Sequence, residues 1–361
     1  MNHSLAGGAV WAGVAALVMV ATSSTPSISN GHGGGTGRRQ AASLPQSTPP
    51  THPDATAGQG APSAAVPSLK SNLAQNPTPR APQGTSPSLA PNPTQSPTPS
   101  GGGAPSLPIR AAFFYPWYPE SWYPESHFTP TLGAPYNSSS PSVIQYQIAA
   151  MEYAHIEVAI ASWWGQGTAT DRRIPLLLSA SPGTRLRWSL YYEPAPGNQA
   201  SDLNYIYAEY ASNPSYEHVD GKPVLFVYSR SVASCADAAN WVNLNAARFY
   251  LDLQVFAGYQ SCAVQPDQWH QYAPAEREDA QAGHSFSISP GYWLYSSATA
   301  GLARDSGAFA QAVRDMVASG QPWQLVTTWN EWGEGTAVED AVQWGSADPY
   351  GLYVDILHNN G

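Results

Sequence analysis

Residues 143–165 read VIQYQIAAMEYAHIEVAIASWWG. The apolar period changes halfway through. Up to Tyr153 apolar residues fall three and four apart, which predicts a helix over Val143–Tyr153 with Ser142 as its N-cap. From Ile156 to Trp163 they alternate, which predicts a strand that stops at Trp163-Trp164-Gly165. A helix feeding a strand is the building unit of an α/β protein.

The same switch recurs on both sides. Strands are predicted at Ile109–Tyr115, Leu186–Tyr192, Val224–Tyr228, Arg248–Phe256, Ser285–Ser289 and Gln324–Thr328, with an eighth around Trp269–Tyr272. Helices are predicted at Leu203–Ala211, Ala236–Ala246 and Phe309–Ala318. Alternation over about 250 residues predicts a (β/α)8 TIM-type barrel spanning residues 109–361. An open doubly wound sheet is the alternative. No glycine-rich phosphate loop follows the first strand, which argues against a nucleotide-binding version.

What precedes the barrel has another character. Residues 1–23 lack charged side chains and are rich in Ala, Val and Gly. They read as a signal peptide or an uncleaved membrane anchor. Residues 24–108 hold 17 of the 34 prolines and no Phe, Trp or Tyr. Such a Pro/Ser/Thr-rich stretch cannot bury enough apolar area to offset its ordering entropy, so a disordered linker or stalk is expected. A secreted or cell-surface tethered protein follows, touching a membrane only through its N-terminal segment.

Charge narrows the partners. The chain has 15 Lys+Arg against 25 Asp+Glu, a net charge of −10. Nucleic acid needs clustered cations, so it is excluded as a partner, and an anionic polymer is disfavoured. The nine histidines show no metal-ligand spacing, and no cofactor or catalytic metal is expected. A monomer is expected. Cys235 and Cys262 follow predicted strands on loops, and an exported protein permits a disulfide between them.

The segment richest in chemistry is Thr327-Thr328-Trp329-Asn330-Glu331-Trp332-Gly333-Glu334-Gly335-Thr336, just past the last predicted strand. Cleaving a glycosidic bond takes two carboxyl groups around one sugar, and Glu331 and Glu334 supply a pair. Trp329 and Trp332 offer apolar faces to sugar C–H groups, and the two glycines allow a sharp turn. Other strand ends repeat the theme, and barrel active sites gather at that end of the strands. Tyr115 and Trp117 line a subsite or an aromatic cluster; His127 binds a sugar hydroxyl or serves packing. Of the adjacent pair Trp163-Trp164, alternation turns one to the core and one to the cleft, and Trp164 is taken for the cleft. Tyr192, Glu193 and Tyr292 complete the candidates.

These motifs resemble, in order, glycoside hydrolase family 99 and its relatives, the endo-α-mannosidases and endo-α-mannanases. The resemblance covers essentially all of 109–361. It runs through Phe114-Tyr115-Pro116-Trp117-Tyr118, Trp163-Trp164-Gly165, Tyr192-Glu193-Pro194, Asp220-Gly221-Lys222-Pro223 and Ser289-Pro290-Gly291-Tyr292, and it closes on Trp329 to Thr336. It implies a (β/α)8 barrel without a metal. It implies Glu331 as base toward a sugar 2-hydroxyl, through an anhydro-sugar, and Glu334 as acid/base at the glycosidic oxygen. It implies Tyr115 and His127 as substrate contacts and Asn330 as part of the site. The expected activity is hydrolysis, with retention, of α-linked mannose-containing or related oligo- and polysaccharides. A non-catalytic carbohydrate-binding protein with the same aromatic cleft, or a cell-surface structural protein, is the competing reading.

Overall fold

The computed structural model describes residues 105–345 and 349–361. The expected signal peptide or anchor (1–23), and all but the last four residues of the expected linker (24–108), lie outside the described residues. Within the barrel region every predicted strand forms. They are β1 (Ile109–Phe114), β2 (Val158–Trp163), β3 (Arg187–Tyr192), β5 (Lys222–Val227), β6 (Tyr250–Gln254), β7 (Gln268–His270), β9 (Ser285–Ile288) and β10 (Trp323–Val326). Two further strands were not predicted: β4 (His218–Val219), antiparallel to β5, and β8 (Glu278–Gln281), antiparallel to β9.

The eight main strands pair in parallel in the order β7-β6-β5-β3-β2-β1-β10-β9. The two ends of that order face each other, and side chains tie the remaining seam. His284 Nδ1 lies 2.7 Å from Gln268 Oε1, and the Ser287 hydroxyl donates to the Gln271 carbonyl. The sheet is thus a nearly closed barrel rather than an open doubly wound sheet.

Strand alternation sorts the side chains. On β1, Ile109, Ala111 and Phe113 join the interior cluster, while Ala112 and Phe114 face the surrounding helices. Four of those helices match prediction: α1 (Pro141–Tyr153), α3 (Gln199–Glu209), α4 (Cys235–Asn245) and α5 (Ser306–Ser319). The expected cap is displaced: α1 starts at Pro141, with Ser140 as N-cap, so Ser142 lies inside the first turn. Proline suits that first position because its missing N–H has no helical partner there. Two helices were missed. In α2 (Ala169–Ala180) Pro175 interrupts the apolar period; α6 (Leu352–His358) spans only seven residues.

Cys235 and Cys262 are bridged, with Cα atoms 5.2 Å apart. Cys235 is the first residue of α4 rather than part of a loop, so the bridge ties a helix start to the segment after β6.

Candidate active site

The C-terminal ends of the strands converge on three glutamates. Glu331 and Glu334 sit on the loop that leaves β10, and Glu193 directly follows β3. The loop is held from several sides. Asn330 is wholly buried and locks it to the first strand end: its Oδ1 accepts from the Tyr115 N–H at 2.7 Å, and its Nδ2 donates to the Tyr115 carbonyl at 3.1 Å. The Tyr118 hydroxyl donates to the Asn330 carbonyl at 2.9 Å. From the other side, the Trp293 N–H donates to the Glu334 carbonyl at 2.8 Å and the Tyr295 N–H to the Gly333 carbonyl at 2.7 Å. Arg304, absent from the expected site, donates to the carbonyls of Gly335 and Ala337 while its guanidinium lies 3.9 Å from the Trp344 ring centre.

The two loop glycines act differently from the expected pair of sharp turns. Gly335 has φ +64°, a left-handed conformation that glycine tolerates without cost. At Gly333 the reason is proximity: a Cβ would meet the Tyr123 ring at 2.8 Å.

The three carboxyl groups are held differently, and Glu334 ends a chain of hydroxyls. The Tyr115 hydroxyl donates to the Tyr272 hydroxyl at 2.9 Å, which donates to Glu334 Oε2 at 2.9 Å. Glu331 accepts from the backbone N–H groups of Gly333, at 3.3 Å, and Glu334. Glu193 is buried, and its Oε1 has no hydrogen-bond partner among the described residues.

Burial dominates the electrostatics. It pushes Glu334 up to about 7, against the opposing hydrogen bond from Tyr272. It lifts Glu331 well above the carboxylate range, and the neighbouring Glu334 charge adds to that, while the two backbone donors oppose it. It raises Glu193 to about 8, opposed by Ser162 and reinforced by Glu334. Carboxyl groups crowded in a poorly solvated pocket cannot all ionise at neutral pH. Burial, with nearby carboxyl groups adding to it, also raises the phenols of Tyr115, Tyr191, Tyr228, Tyr272 and Tyr292. These remain protonated hydrogen-bond donors. Among the described residues no group of three or more His, Cys, Asp and Glu is arranged to hold a metal ion.

The expected site residues divide by which way they face. Tyr115, Glu193, Tyr292, Glu331 and Glu334 gather at the strand ends. Trp117 and Trp164 are half-buried neighbours, ring centres 6.4 Å apart, and Trp117 lies 4.5 Å from Tyr115. His127 stacks on Trp293 at 4.0 Å and bonds the Leu294 carbonyl at 3.1 Å, so its ring is already engaged in packing. Three expected sugar contacts lie elsewhere. Tyr192 points outward against Trp241, at 4.9 Å, and donates to Asp202 at 2.9 Å. Strand alternation requires this once Glu193 faces inward. Trp329 and Trp332 are both 0% exposed and belong to the core between barrel and helices, with Trp332 stacked on Trp344 at 6.1 Å. They anchor the loop from behind and offer no face to a sugar. Asn330 likewise has both side-chain ends committed to the protein.

Tyr191, Tyr228 and Tyr272 were missed. Each shares the parity of an inward neighbour on its own strand, which is the signal that finds them: Tyr191 with Glu193, Tyr228 with Phe226, Tyr272 with His270.

Known proteins resemble the chain in part of its sequence and in its fold. The sequence model of glycosyl hydrolase family 99 matches residues 123–254, a segment that contains Trp164 and Glu193 and ends before the Glu331 loop. The chain is 23% identical over 281 residues to the glycoprotein endo-alpha-1,2-mannosidase-like protein of Mus musculus, covering 64% of this chain and 61% of that protein. It is 27% identical over 132 residues to the glycoprotein endo-alpha-1,2-mannosidase of the same species, covering 32% of this chain and 28% of that one. Its fold superposes on the GH99 endo-alpha-mannosidase of Bacteroides thetaiotaomicron with a TM-score of 0.57 at 19% identity, covering 70% of this chain and 95% of that one. Residues 123–254 thus match glycosyl hydrolase family 99 in sequence, and the barrel has the fold of a GH99 structure.

Proposed function

We propose that the chain is an exported glycoside hydrolase that cleaves α-linked mannose-containing glycans with retention, using Glu331 and Glu334. The observation that carries this reading is the meeting of a buried Glu331 and a half-buried Glu334, the latter bonded by the Tyr272 hydroxyl, at the strand ends of the barrel. The relatives named as endo-mannosidases favour the substrate class. Export rests on the apolar N-terminal segment.

Glu331 takes the proton of the sugar 2-hydroxyl, and O2 attacks C1. The bond from C1 to the glycosidic oxygen breaks, and Glu334 protonates that oxygen. Water then attacks C1 and gives its proton to Glu334. The C1–O2 bond breaks, and O2 regains its proton from Glu331. Two inversions at C1 leave the configuration retained. Tyr272 positions Glu334 through its hydrogen bond. The unpartnered Glu193 Oε1 suits a further sugar hydroxyl.

Burial raises both carboxyls, and substrate sets them apart. A 2-hydroxyl donating to Glu331 favours its ionised form, and exclusion of water around Glu334 favours its protonated form.

The test is digestion of a panel of α-mannans and other neutral glycans by the secreted protein, with product size and anomeric configuration followed by NMR. Retained α-product from a mannan is expected. No cleavage of any panel member, with the glycans still bound, would favour a carbohydrate-binding protein instead.

A further inference from the structure

Outside the carboxylate pocket, the loops after β2 and β3 and the start of α3 line an open cavity of about 410 Å³. That is within the usual size of a small-ligand site, roughly 300–1,000 Å³. Its lining includes Trp164, Gln166, Pro194, Asn198, Ser201 and Asp202. Pro194 directly follows Glu193, so the cavity and the carboxylate pocket share a wall. The aromatic series Tyr115, Trp117, Trp164 runs from the hydroxyl network at Glu334 out to this cavity, with ring spacings of 4.5 and 6.4 Å.

The lining carries one carboxylate, and it is already satisfied. Asp202 is buried, and both its oxygens are taken: Oδ1 accepts from Gln166 Nε2 at 2.8 Å and Oδ2 from the Tyr192 hydroxyl at 2.9 Å. The Ser201 hydroxyl donates to the Asn198 carbonyl at 2.9 Å, and the Trp164 indole donates to Ser162 at 2.9 Å with the Arg230 guanidinium 5.6 Å from its ring centre. What remains toward the cavity is the Asn198 amide, the Gln166 carbonyl oxygen and the Ser201 lone pairs, beside an indole. Donors and acceptors next to an aromatic ring suit the hydroxyls and C–H groups of a sugar.

The wall is also built in advance. Asp171 accepts from the Trp163 indole at 2.7 Å, the Gly167 N–H at 2.7 Å, the Tyr210 hydroxyl at 2.6 Å and the Tyr205 hydroxyl at 3.0 Å. The Thr168 hydroxyl closes the loop onto the Gly165 carbonyl at 2.8 Å. A preorganised wall avoids ordering costs on binding.

We propose that this cavity is a distal subsite for a neutral hexopyranose of the same glycan chain, held by Gln166, Asn198 and Ser201 beyond Trp164. The proposal rests on the glycan-hydrolase reading, which it extends from the bond cleaved to the length of chain recognised. It predicts a preference for long over short substrates.

The test is the double variant Asn198→Ala/Ser201→Ala in the full chain, assayed on an α-manno-tetrasaccharide and an α-manno-octasaccharide. Both residues are exposed, and Asn198 makes no side-chain cap bond to α3, so the fold is expected to hold. An unchanged melting temperature checks it. The expected result is about a tenfold loss of kcat/KM on the octasaccharide, with less than about a twofold change on the tetrasaccharide. An octasaccharide-to-tetrasaccharide ratio equal to that of the parent overturns the proposal. If the parent cleaves neither, the hydrolase reading fails, and calorimetry then decides the cavity. Octasaccharide binding weakened in the double variant supports the subsite; equal binding, or none by the parent, overturns it.

Discussion

The Tyr272 hydroxyl donates to Glu334 Oε2 at 2.9 Å and itself accepts from Tyr115 at 2.9 Å. A donor to the ionised carboxylate favours that form, so Tyr272 holds Glu334 below where burial alone would put it, at about 7. An acid works only while protonated, and its loss sets the alkaline limb of the activity profile. Removing the donor raises the carboxyl further. Tyr272→Phe is therefore expected to move the alkaline limb of kcat/KM to higher pH and to lower kcat by roughly tenfold. A limb that stays in place would detach Tyr272 from the acid.

The acid and base are told apart by the leaving group. A glycosyl substrate with a good leaving group, such as fluoride, needs no protonation at the departing atom. Glu334→Gln is expected to lose on the order of 10²–10⁴-fold on mannan while keeping most activity on the fluoride. Glu331→Gln should lose both. If the rescue appears in Glu331→Gln instead, the roles are exchanged.

The tryptophans divide between stability and binding. Trp332 is wholly enclosed, and Trp332→Ala is expected to cost about 3–5 kcal/mol in denaturant unfolding. Trp164 is half-buried beside Trp117 and beneath the Arg230 guanidinium, 5.6 Å from its ring centre. Trp164→Ala should cost much less stability and raise KM about tenfold. Equal stability losses at the two positions would contradict the division.

A glutamate remote from the site supplies a pH test of the fold. Glu217 is wholly buried, both its carboxylate oxygens lack hydrogen-bond partners among the described residues, and burial raises it to about 8 despite Arg187. Its unfolded value is about 4.3. Between those values the folded state holds the extra proton, so this group's contribution is complete below about 4.3 and is lost as pH rises through about 8. Glu217→Gln should therefore gain melting temperature over the parent as pH goes from 5 to 8. About 2–4 °C is expected per kcal/mol relieved. A difference between variant and parent that stays constant with pH would show that Glu217 does not titrate in that range.

Much of this was legible in the sequence because it depends on short-range periodicity. The change from helical spacing to alternation around Tyr153 and Ile156 located α1 and β2, and the same change repeated around the barrel. The Trp329 to Thr336 motif likewise placed two glutamates at the end of the last strand. Pro175 hid α2, because a proline inside an apolar period reads as a break. The antiparallel strand β8 carries no apolar alternation, since its burial swings only between exposed and intermediate.

Facing was the part that needed the fold. Tyr192 ends β3 and Glu193 directly follows it in extended continuation, so they cannot both reach the cleft, and the register with β2 and β5 sends Tyr192 outward. Trp329 and Trp332 flank the glutamates in sequence, yet the loop turns their rings into the core and leaves the carboxyl groups on the other side. The donor to Glu334 comes from Tyr272, 62 residues away. Local pattern determined which elements form and where the chemistry-bearing loop begins, because those depend on neighbours along the chain. Barrel closure decided which side chains share one poorly solvated pocket, because that depends on strands far apart in sequence meeting around a common axis.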